Sequence, residues 1–468
     1  MVKKDDVIVL VNPPNKQIVL RDMYSSTISK GYYNWPCVDL LVLSGILKEY
    51  YDVRLIDANT LGLSSEEAVG KISSFNPKGV IFSLGSSVVD EDYEFIKKLR
   101  KQLPGIKFCG TGGLLYHNAK QELKDHVEFD ACLRNFTTND IIKYLGNDFD
   151  NLHNIIYRNN GEIVTTSDKN PDNGFSFPIP LHEQLPLNKY GLPHGNATPL
   201  TSVLTSYGCP AICSFCVAGK INYQYRAPSN VISELETIKT LGIKEIFFRD
   251  NVFCANKKQG HLLMNMMIEN DFGFSWVADT RASILTDETA KIMKKSGCHA
   301  LHIGVETANP IILKKYNKGV TIAEIRDAFR ICKNWGIKTV GYFIIGLPGE
   351  MVEDIKKTID LSIELDCDYA SFNVALPIIG TELREEAVKN NWVNSKNSSK
   401  YDGSFEPKIE SENISLEKIL EMRDFAVRKF YLRPSYIVKQ LISLRNFYQV
   451  KSLFNEFFNL LHRQFKTN

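Results

Sequence analysis

The sequence predicts an α/β protein: a doubly wound parallel sheet, then a second run of strand–helix units, then a helical C-terminal segment. Three observations carry this expectation. Short apolar runs rich in Val and Ile alternate with helical patterns over the first third of the chain. Residues 150–200 break the alternation with Asn, Pro and Gly, as in Lys169-Asn170-Pro171-Asp172-Asn173-Gly174 and Pro178-Ile179-Pro180. The alternation then resumes for six more strands. Strands that alternate with helices are joined by right-handed crossovers and pair in parallel. At 468 residues the chain exceeds what one core organises, so two or three domains are expected. Their boundaries are drawn at 1–148 for the first domain, 149–196 for a linker, 197–395 for the second α/β unit and 396–468 for a mainly helical end.

In the first domain, Val7 to Val11 reads as a strand that ends in Asn12-Pro13-Pro14. A helix over Val38 to Tyr50 leads to a strand at Val53 to Ile56. A helix over Ser64 to Phe75 leads to a buried strand at Gly79 to Leu84. A helix near Asp90 to Leu103 leads to a strand at Ile106 to Cys109, closed by Gly110-Thr111-Gly112-Gly113, and a last short strand covers Phe129 to Leu133. In such sheets ligands bind beyond the carboxyl ends of the strands. Those ends carry Asn12, Pro13, Gly85, Ser86, Ser87, Gly112 and Gly113, small or hydrogen-bonding residues that let a ligand approach. Glycines that merely end strands account for them equally well at this stage. No phosphate-binding GxGxxG or P-loop stands in the right context. A small hairpin fits Ile155 to Val164 within the linker.

Bulk properties narrow the class. A formal charge of +2 gives no global attraction to nucleic acid or anionic membrane. The apolar run Val7 to Val11 is too short for a signal peptide. No segment offers the roughly 18 unbroken apolar residues of a membrane span, so the cytoplasm is the expected compartment. Ten cysteines are too few for a disulfide scaffold in a chain of this length. Cys37, Cys109, Cys132, Cys254, Cys298, Cys332 and Cys367 are scattered and read as buried free thiols. The other three fall within eight residues.

A strand at Leu200 to Thr205 runs into Ser206-Tyr207-Gly208-Cys209-Pro210-Ala211-Ile212-Cys213-Ser214-Phe215-Cys216. The spacing C-x3-C-x2-C after a strand lets one loop fold three thiolates around a 4Fe-4S cubane, each on its own iron. The fourth iron stays open to a substrate or cofactor. Zinc is the competing ligand, but structural zinc takes four ligands, commonly in C-x2-C pairs, and no partner pair is present.

This run resembles the cluster loop of the radical S-adenosylmethionine (SAM) superfamily, C-x3-C-x-aromatic-C. The resemblance makes Cys209, Cys213 and Cys216 the cluster ligands and places Phe215 near the adenine of SAM. It implies that SAM chelates the open iron and is cleaved by one electron to methionine and a 5′-deoxyadenosyl radical. It also implies a flavodoxin- or ferredoxin-type reductant. The later strands, Lys244 to Phe248, Gly273 to Ala278, His299 to Val305, Lys338 to Ile345 and Tyr369 to Leu376, bring the count to the six of the family's partial (β/α)6 barrel. Barrels place chemistry at the carboxyl ends of their strands. Ile303-Gly304-Val305-Glu306-Thr307 is similar to the family's fourth-strand segment, whose acid contacts SAM. Gly346-Leu347-Pro348-Gly349-Glu350 is similar to the fifth-strand turn near the adenine, so Glu306, Gly346 and Pro348 are expected SAM contacts. Phe248-Arg249-Asp250-Asn251 holds the second-strand position without the family's glycine-rich form.

The N-terminal α/β domain looks like that of the cobalamin-binding branch, which contains radical methyltransferases and the anaerobic cyclase of bacteriochlorophyll synthesis. Asn12-Pro13-Pro14, Leu55-Ile56-Asp57 and Pro377 to Leu383 share its character. The resemblance implies cobalamin at the carboxyl edge of the first sheet, held by Asn12, Pro13, Gly85, Ser86, Ser87, Gly112 and Gly113. Two features depart from the branch. D-x-H-x-x-G, which supplies a histidine to cobalt in some relatives, is absent, and His117 reads as a surface residue. Leu133 to Asp140 stands where a Gly-Glu-Gly-Glu-like stretch is common. The implied activity is methyl transfer to an unactivated carbon of a small molecule. A cobalamin-dependent cyclase or rearrangement enzyme, or a non-enzymatic iron–sulfur sensor or relay, is the alternative. Methylthiotransferases fit less well, because Cys37, Cys109 and Cys132 lack their second-cluster pattern. Tyr207, Tyr223, Tyr225, Trp276 and Tyr342 are candidates for an aromatic barrel wall. Beyond Ser415 the pattern is helical, broken at Pro434, with a strongly apolar final helix over Phe447 to Leu461.

Overall fold

A computed structural model describes residues 5–23, 25–31, 33–170, 174–393 and 409–443. In chain order the first strands are β1 (Val7–Asn12), β2 (Val19–Asp22), β3 (Ser25–Ile28), β4 (Asp52–Asp57), β5 (Gly79–Ser83), β6 (Lys107–Thr111), β7 (Ala131–Leu133), β8 (Ile155–Asn159) and β9 (Glu162–Thr165). Among the described residues, seven of them form one sheet in the order β4-β1-β5-β6-β7-β8-β9. The five strands from β4 to β7 are parallel, and β1 pairs with both β4 and β5. Ile8, Val9, Leu10 and Val11 are fully buried because both faces of β1 are covered, which is why its apolar run is unbroken.

Two features differ from expectation. The hairpin foreseen in the linker, β8–β9, pairs antiparallel with β7 and so extends the first sheet past residue 148. A second antiparallel hairpin, β2–β3, follows the Asn12-Pro13-Pro14 turn and had no counterpart in the sequence reading.

The second unit holds β10 (Leu200–Val203), β11 (Ser206–Tyr207), β12 (Gln224–Tyr225), β13 (Glu245–Phe248), β14 (Ser275–Thr280), β15 (Cys298–Glu306), β16 (Lys338–Ile345) and β17 (Tyr369–Val374). Six of them make a parallel sheet in the order β10-β13-β14-β15-β16-β17. The outer strands β10 and β17 are not hydrogen-bonded to each other, so the barrel is open along one side. Residues of the first domain bridge that side. Ser202 Oγ of β10 donates to the Pro36 carbonyl (2.9 Å), and Lys30 Nζ donates to Ser371 Oγ (3.2 Å) and Asn373 Oδ1 (2.8 Å) of β17. Trp35 meets Phe247 of β13 edge to face at 5.3 Å. Helix Val38–Leu47 is buried over its whole length, because one side lies on the first sheet and the other on the barrel.

The strongest tie is electrostatic. Asp22 Oδ2, at the end of β2, accepts from Arg249 Nη2 (2.6 Å) and Nε (3.0 Å), while Arg249 Nη1 donates to Asp279 Oδ2 on β14 (2.8 Å). The Asp22 side chain is fully buried and Arg249 nearly so. Nearby, Asp39 accepts from the Met23 amide (3.1 Å) and the Thr111 hydroxyl (3.3 Å). Burial, and then the charge of Asp22, raise the Asp39 carboxyl to about 8.

Helix Leu416–Tyr431 covers the outside of β16 and β17 with Ile419, Met422, Ala426 and Phe430, the spacing of one helical face. Its Tyr431 hydroxyl accepts from Ala370 N (3.1 Å) and donates to Ala370 O (2.7 Å), which satisfies backbone on the free edge of β17. Pro434 ends one helix and opens the next, Pro434–Ser443. The final helix expected over Phe447 to Leu461 lies outside the described residues. No helix among the described residues is long and apolar enough to cross a membrane.

Removing one partner of a buried ion pair leaves the other charge stranded, at a cost of about 3–5 kcal/mol. Asp22→Asn is expected to lower stability by about that amount in urea unfolding. Glu364→Gln, which breaks the exposed pair with Arg326, is expected to cost under about 1 kcal/mol. Between pH 4 and 8 the folded chain keeps a proton on Asp39 that the unfolded chain has lost, so stability falls as pH rises through that window. Asp39→Asn is expected to remove this slope, so its melting temperature relative to the parent should rise from pH 5 to pH 8.

Candidate active site

The cysteine loop leaves the barrel at the carboxyl end of β10. Asp250, just past β13, fixes its root: Oδ1 accepts from the amides of Thr205 (2.7 Å) and Ser206 (2.9 Å), and Oδ2 accepts from the Thr205 hydroxyl. Asp250 is therefore a structural anchor. Gly208 turns the chain at φ +77°, and a side chain there would strike the Ile221 carbonyl at 2.5 Å. The β11–β12 pairing closes the excursion, and Tyr207 Oη donates to the Arg134 carbonyl of the first domain (2.7 Å). On the far side Ser214 N donates to Tyr316 O (3.0 Å), and Leu383 N donates to Ser214 O (3.0 Å).

Cys213 is buried, and Cys209 and Cys216 are partly so. Burial raises the Cys209 thiol, with Cys213 adding and Arg281 and Lys318 opposing, and burial pushes Cys216 up to about 11, with Cys213 and Cys209 adding and Lys318 opposing. The three sulfurs therefore share one electrostatic site. No three His, Cys, Asp or Glu side chains among the described residues converge on a single-ion position. A cubane asks for less convergence than zinc, since each thiolate holds a different iron, and its binding expels the thiol protons. The seven remaining cysteines are buried and free, as expected.

Glu306 ends β15 beside this loop. It sits at φ +67°, a left-handed conformation that costs energy for a residue with a side chain, directly after a register shift against β16. Its carboxylate is buried and paired with Lys318 Nζ. Gly304 makes room for this pair, because a methyl group there would fall 2.6 Å from Lys318 Nζ. Arg281, just past β14, donates from Nη1 to Cys213 Sγ (3.4 Å) and from Nη2 to the Lys318 carbonyl. Lys318 was not singled out by sequence, since it is one basic residue in a turn, and Arg281 was read only as part of the polar strand end Asp279-Thr280-Arg281, with no role of its own. Glu350 ties the next strand end to β15: it accepts from Gly346 N (3.0 Å), Leu347 N (3.0 Å) and the Thr307 hydroxyl (2.7 Å). Burial raises Glu350 to about 7. The Pro348 carbonyl accepts from Lys315 Nζ (3.0 Å) and Tyr316 Oη (3.1 Å). Gly346 faces Ile419 of the C-terminal helix. Phe215 meets Tyr316 and packs against a cluster that also holds Leu347 and Ala375, so the cysteine loop and the Gly346–Glu350 turn share one apolar cluster.

Below these strand ends the inner wall of the barrel is partly open to water. Tyr342 and Ile344 on β16, and Ser371 and Asn373 on β17, are partly exposed, while the alternate residues Phe343, Ile345, Phe372 and Val374 are buried. Asp279 and Gly304 are also partly exposed. His302 Nδ1 lies 2.8 Å from Asp279 Oδ1 and 2.9 Å from Tyr342 Oη, and its Nε2 lies 2.8 Å from His194 Nε2. Burial, then the neighbouring His302, lowers His194 well below the usual histidine range, so it is neutral at pH 7. Of the five aromatics expected to wall the barrel, Tyr342 faces this space. Trp276 packs against Phe248 and Phe253 under the helices, and Tyr207 is buried.

At the carboxyl edge of the first sheet, several of the residues expected to hold cobalamin contact the β2–β3 hairpin. Arg21 Nη1 donates to Asn12 Oδ1 (2.9 Å) and the Pro13 carbonyl (3.2 Å), and Arg21 Nη2 pairs with buried Asp92 (2.7 Å). Gly85 N donates to Asp92 (3.0 Å), and Ser87 N donates to Ser26 Oγ (3.0 Å). Ser86 is buried; Gly112 faces the Leu84 carbonyl and Gly113 the Met23 carbonyl. His117, read as a surface residue, is half-buried against Gly380 of the barrel. Its Nε2 has no hydrogen-bond partner. Burial, with Arg134 and Lys220 adding, lowers it to about 4.

Residues 203–362 match the family model described as the radical SAM superfamily. The chain is 30% identical to an uncharacterized methyltransferase of Pyrococcus horikoshii over 451 residues, 94% of this chain and 95% of that one. The chain belongs to the radical SAM superfamily. Two solved structures share the fold over both domains. The radical SAM methyltransferase TsrM of Kitasatospora setae, with cobalamin and a [4Fe-4S] cluster bound, superposes with a TM-score of 0.67 at 18% identity, covering 82% of this chain and 78% of that one. The cobalamin-dependent SAM radical enzyme OxsB, with aqua-cobalamin bound, superposes with a TM-score of 0.69 at 14% identity, covering 97% and 72%. Arg281 links the cysteine loop to the turn whose Lys318 pairs with Glu306.

Two sets of substitutions test the site. Alanine at Cys209, Cys213 or Cys216 is expected to abolish four-iron content after anaerobic reconstitution, while Cys254→Ala keeps it, as read by iron and sulfide analysis. Gly304→Ala is expected to displace the Glu306–Lys318 pair and weaken SAM binding at least about tenfold by calorimetry, about 1.4 kcal/mol.

Proposed function

We propose that this radical SAM enzyme is a cobalamin-dependent methyltransferase acting on an unactivated carbon of a small molecule. The observation that carries the reading is the cysteine loop and Glu306 standing over a partly open, polar barrel interior, in a chain whose N-terminal third is a doubly wound domain. When bound, the cluster and SAM supply a radical that takes hydrogen from carbon, and cobalamin supplies the methyl group. The chain's own residues would do the rest. Cys209, Cys213 and Cys216 would hold three irons. Glu306 would bind the amino group of SAM, with Lys318 yielding or sharing the carboxylate. Phe215 and the Gly346–Pro348 turn would flank the adenine, and Glu350 would keep that turn in shape. Asp279, Tyr342, Ser371 and Asn373 would hydrogen-bond the substrate. A flavodoxin- or ferredoxin-type protein would supply the electron.

The cobalamin part rests on the relatives and the shared fold. The edge residues Asn12, Pro13, Gly85, Ser87 and Gly113 are engaged by the hairpin, so a cobalamin held by them requires the hairpin to yield. A cyclisation or rearrangement on the same cofactors is the second reading.

The test is to purify the protein without oxygen, reconstitute it with iron and sulfide, add hydroxocobalamin, desalt and record the visible spectrum. A retained corrinoid at about one per chain is expected. Iron–sulfur absorbance without corrinoid would overturn the cobalamin reading and leave the radical SAM assignment standing. Transfer of label from [methyl-³H]SAM to a small molecule separates methylation from cyclisation.

A further inference from the structure

The cysteine site carries a cation that no carboxylate of the described residues answers. Arg281 is partly buried, and no carboxylate pairs with it among the described residues. One arm of its guanidinium points at Cys213 Sγ, and the other is held by the Lys318 carbonyl. That carbonyl is presented by a tight turn in which Asn317 and Gly319 both have positive φ. The fork is thus fixed between the cysteine loop and the Asn317–Gly319 turn. Lys318, from the same turn, is already shared with Glu306. Arg281 is therefore the cation left over at the thiols.

We propose that Arg281 is a positioning residue for electron entry: its hydrogen bond to the Cys213 sulfur and its unshared charge raise the reduction potential of the cluster. The proposal rests on the cluster reading of the three cysteines. A cubane in its 2+ state with three thiolates carries a net charge of −1, and one-electron reduction makes it −2. A fixed cation at one of its sulfurs stabilises the more negative state, since cluster potentials follow net charge and hydrogen bonds to sulfur. The effect is enhanced where burial excludes water. The electron comes from an external one-electron donor, which is oxidised by one unit as the cluster is reduced; no proton need move.

The test is an electron paramagnetic resonance titration of the reconstituted protein with titanium(III) citrate, without SAM, at matched iron and sulfide content. Arg281→Gln is expected to disfavour reduction at least tenfold, a midpoint lower by 59 mV or more for one electron. Arg281→Lys, which keeps the charge but loses the fixed fork, should fall between Gln and the parent. A fully loaded Arg281→Gln protein with the parent's midpoint would overturn the proposal. If Arg281→Gln takes up no iron, Arg281→Lys decides: a lowered midpoint supports the proposal and an unchanged one overturns it. A parent protein that assembles no four-iron cluster would sink the underlying reading as well, so the two failures are distinguishable.

Discussion

The arrangement depends on one buried guanidinium. Arg249 stands at the end of a barrel strand and is held between Asp22 of the first domain and Asp279 of the barrel. Two carboxylates around one cation leave a buried excess of negative charge. The desolvation this entails is compensated only if both carboxylates keep their geometry. That requirement fixes how the β2–β3 hairpin meets the barrel, and so where Lys30, Trp35 and Pro36 lie along the open side. A six-stranded barrel with an unpaired flank would otherwise present two strand edges. The N-terminal domain is thus part of the barrel wall as well as a neighbour.

The same logic orders the strand ends. Asp250, Glu350 and Glu306 are each buried carboxylates at carboxyl ends of barrel strands, and their work differs by partner. Asp250 and Glu350 take backbone amides and hydroxyls, so they shape turns. Glu306 takes the ammonium of Lys318, in a strained backbone conformation. Strain maintained beside the cysteine loop is consistent with a binding role. The polar interior beneath, with Asp279, His302 and Tyr342 in one hydrogen-bonded set, differs from the apolar filling of a closed barrel.

Much of this was legible in advance because it is local. Strand identity follows from short apolar runs, and the six barrel strands fall where the pattern put them. The cysteine spacing needs no tertiary information, since one loop delivers all three thiols. The β2–β3 hairpin was missed because residues such as Arg21, Asp22 and Ser26 are polar and carry no strand alternation; Arg21 and Asp22 are buried in ion pairs with distant partners. Trp276 misled for the opposite reason: an aromatic on a barrel strand looks the same whether it faces the helices or the interior.

By itself, the sequence determined the two α/β units, the cluster loop and the strand-end acids, because periodicity and spacing are short-range properties of the chain. The tertiary structure alone decided which cations join them. Arg281 and Lys318 acquire meaning only when a turn after β15 and the end of β14 close around Cys213. It also decided that the edge of the first sheet is covered by the chain's own hairpin. Charge pairing acts through space between residues as far apart as Asp22 and Arg249, and no window along the sequence contains both.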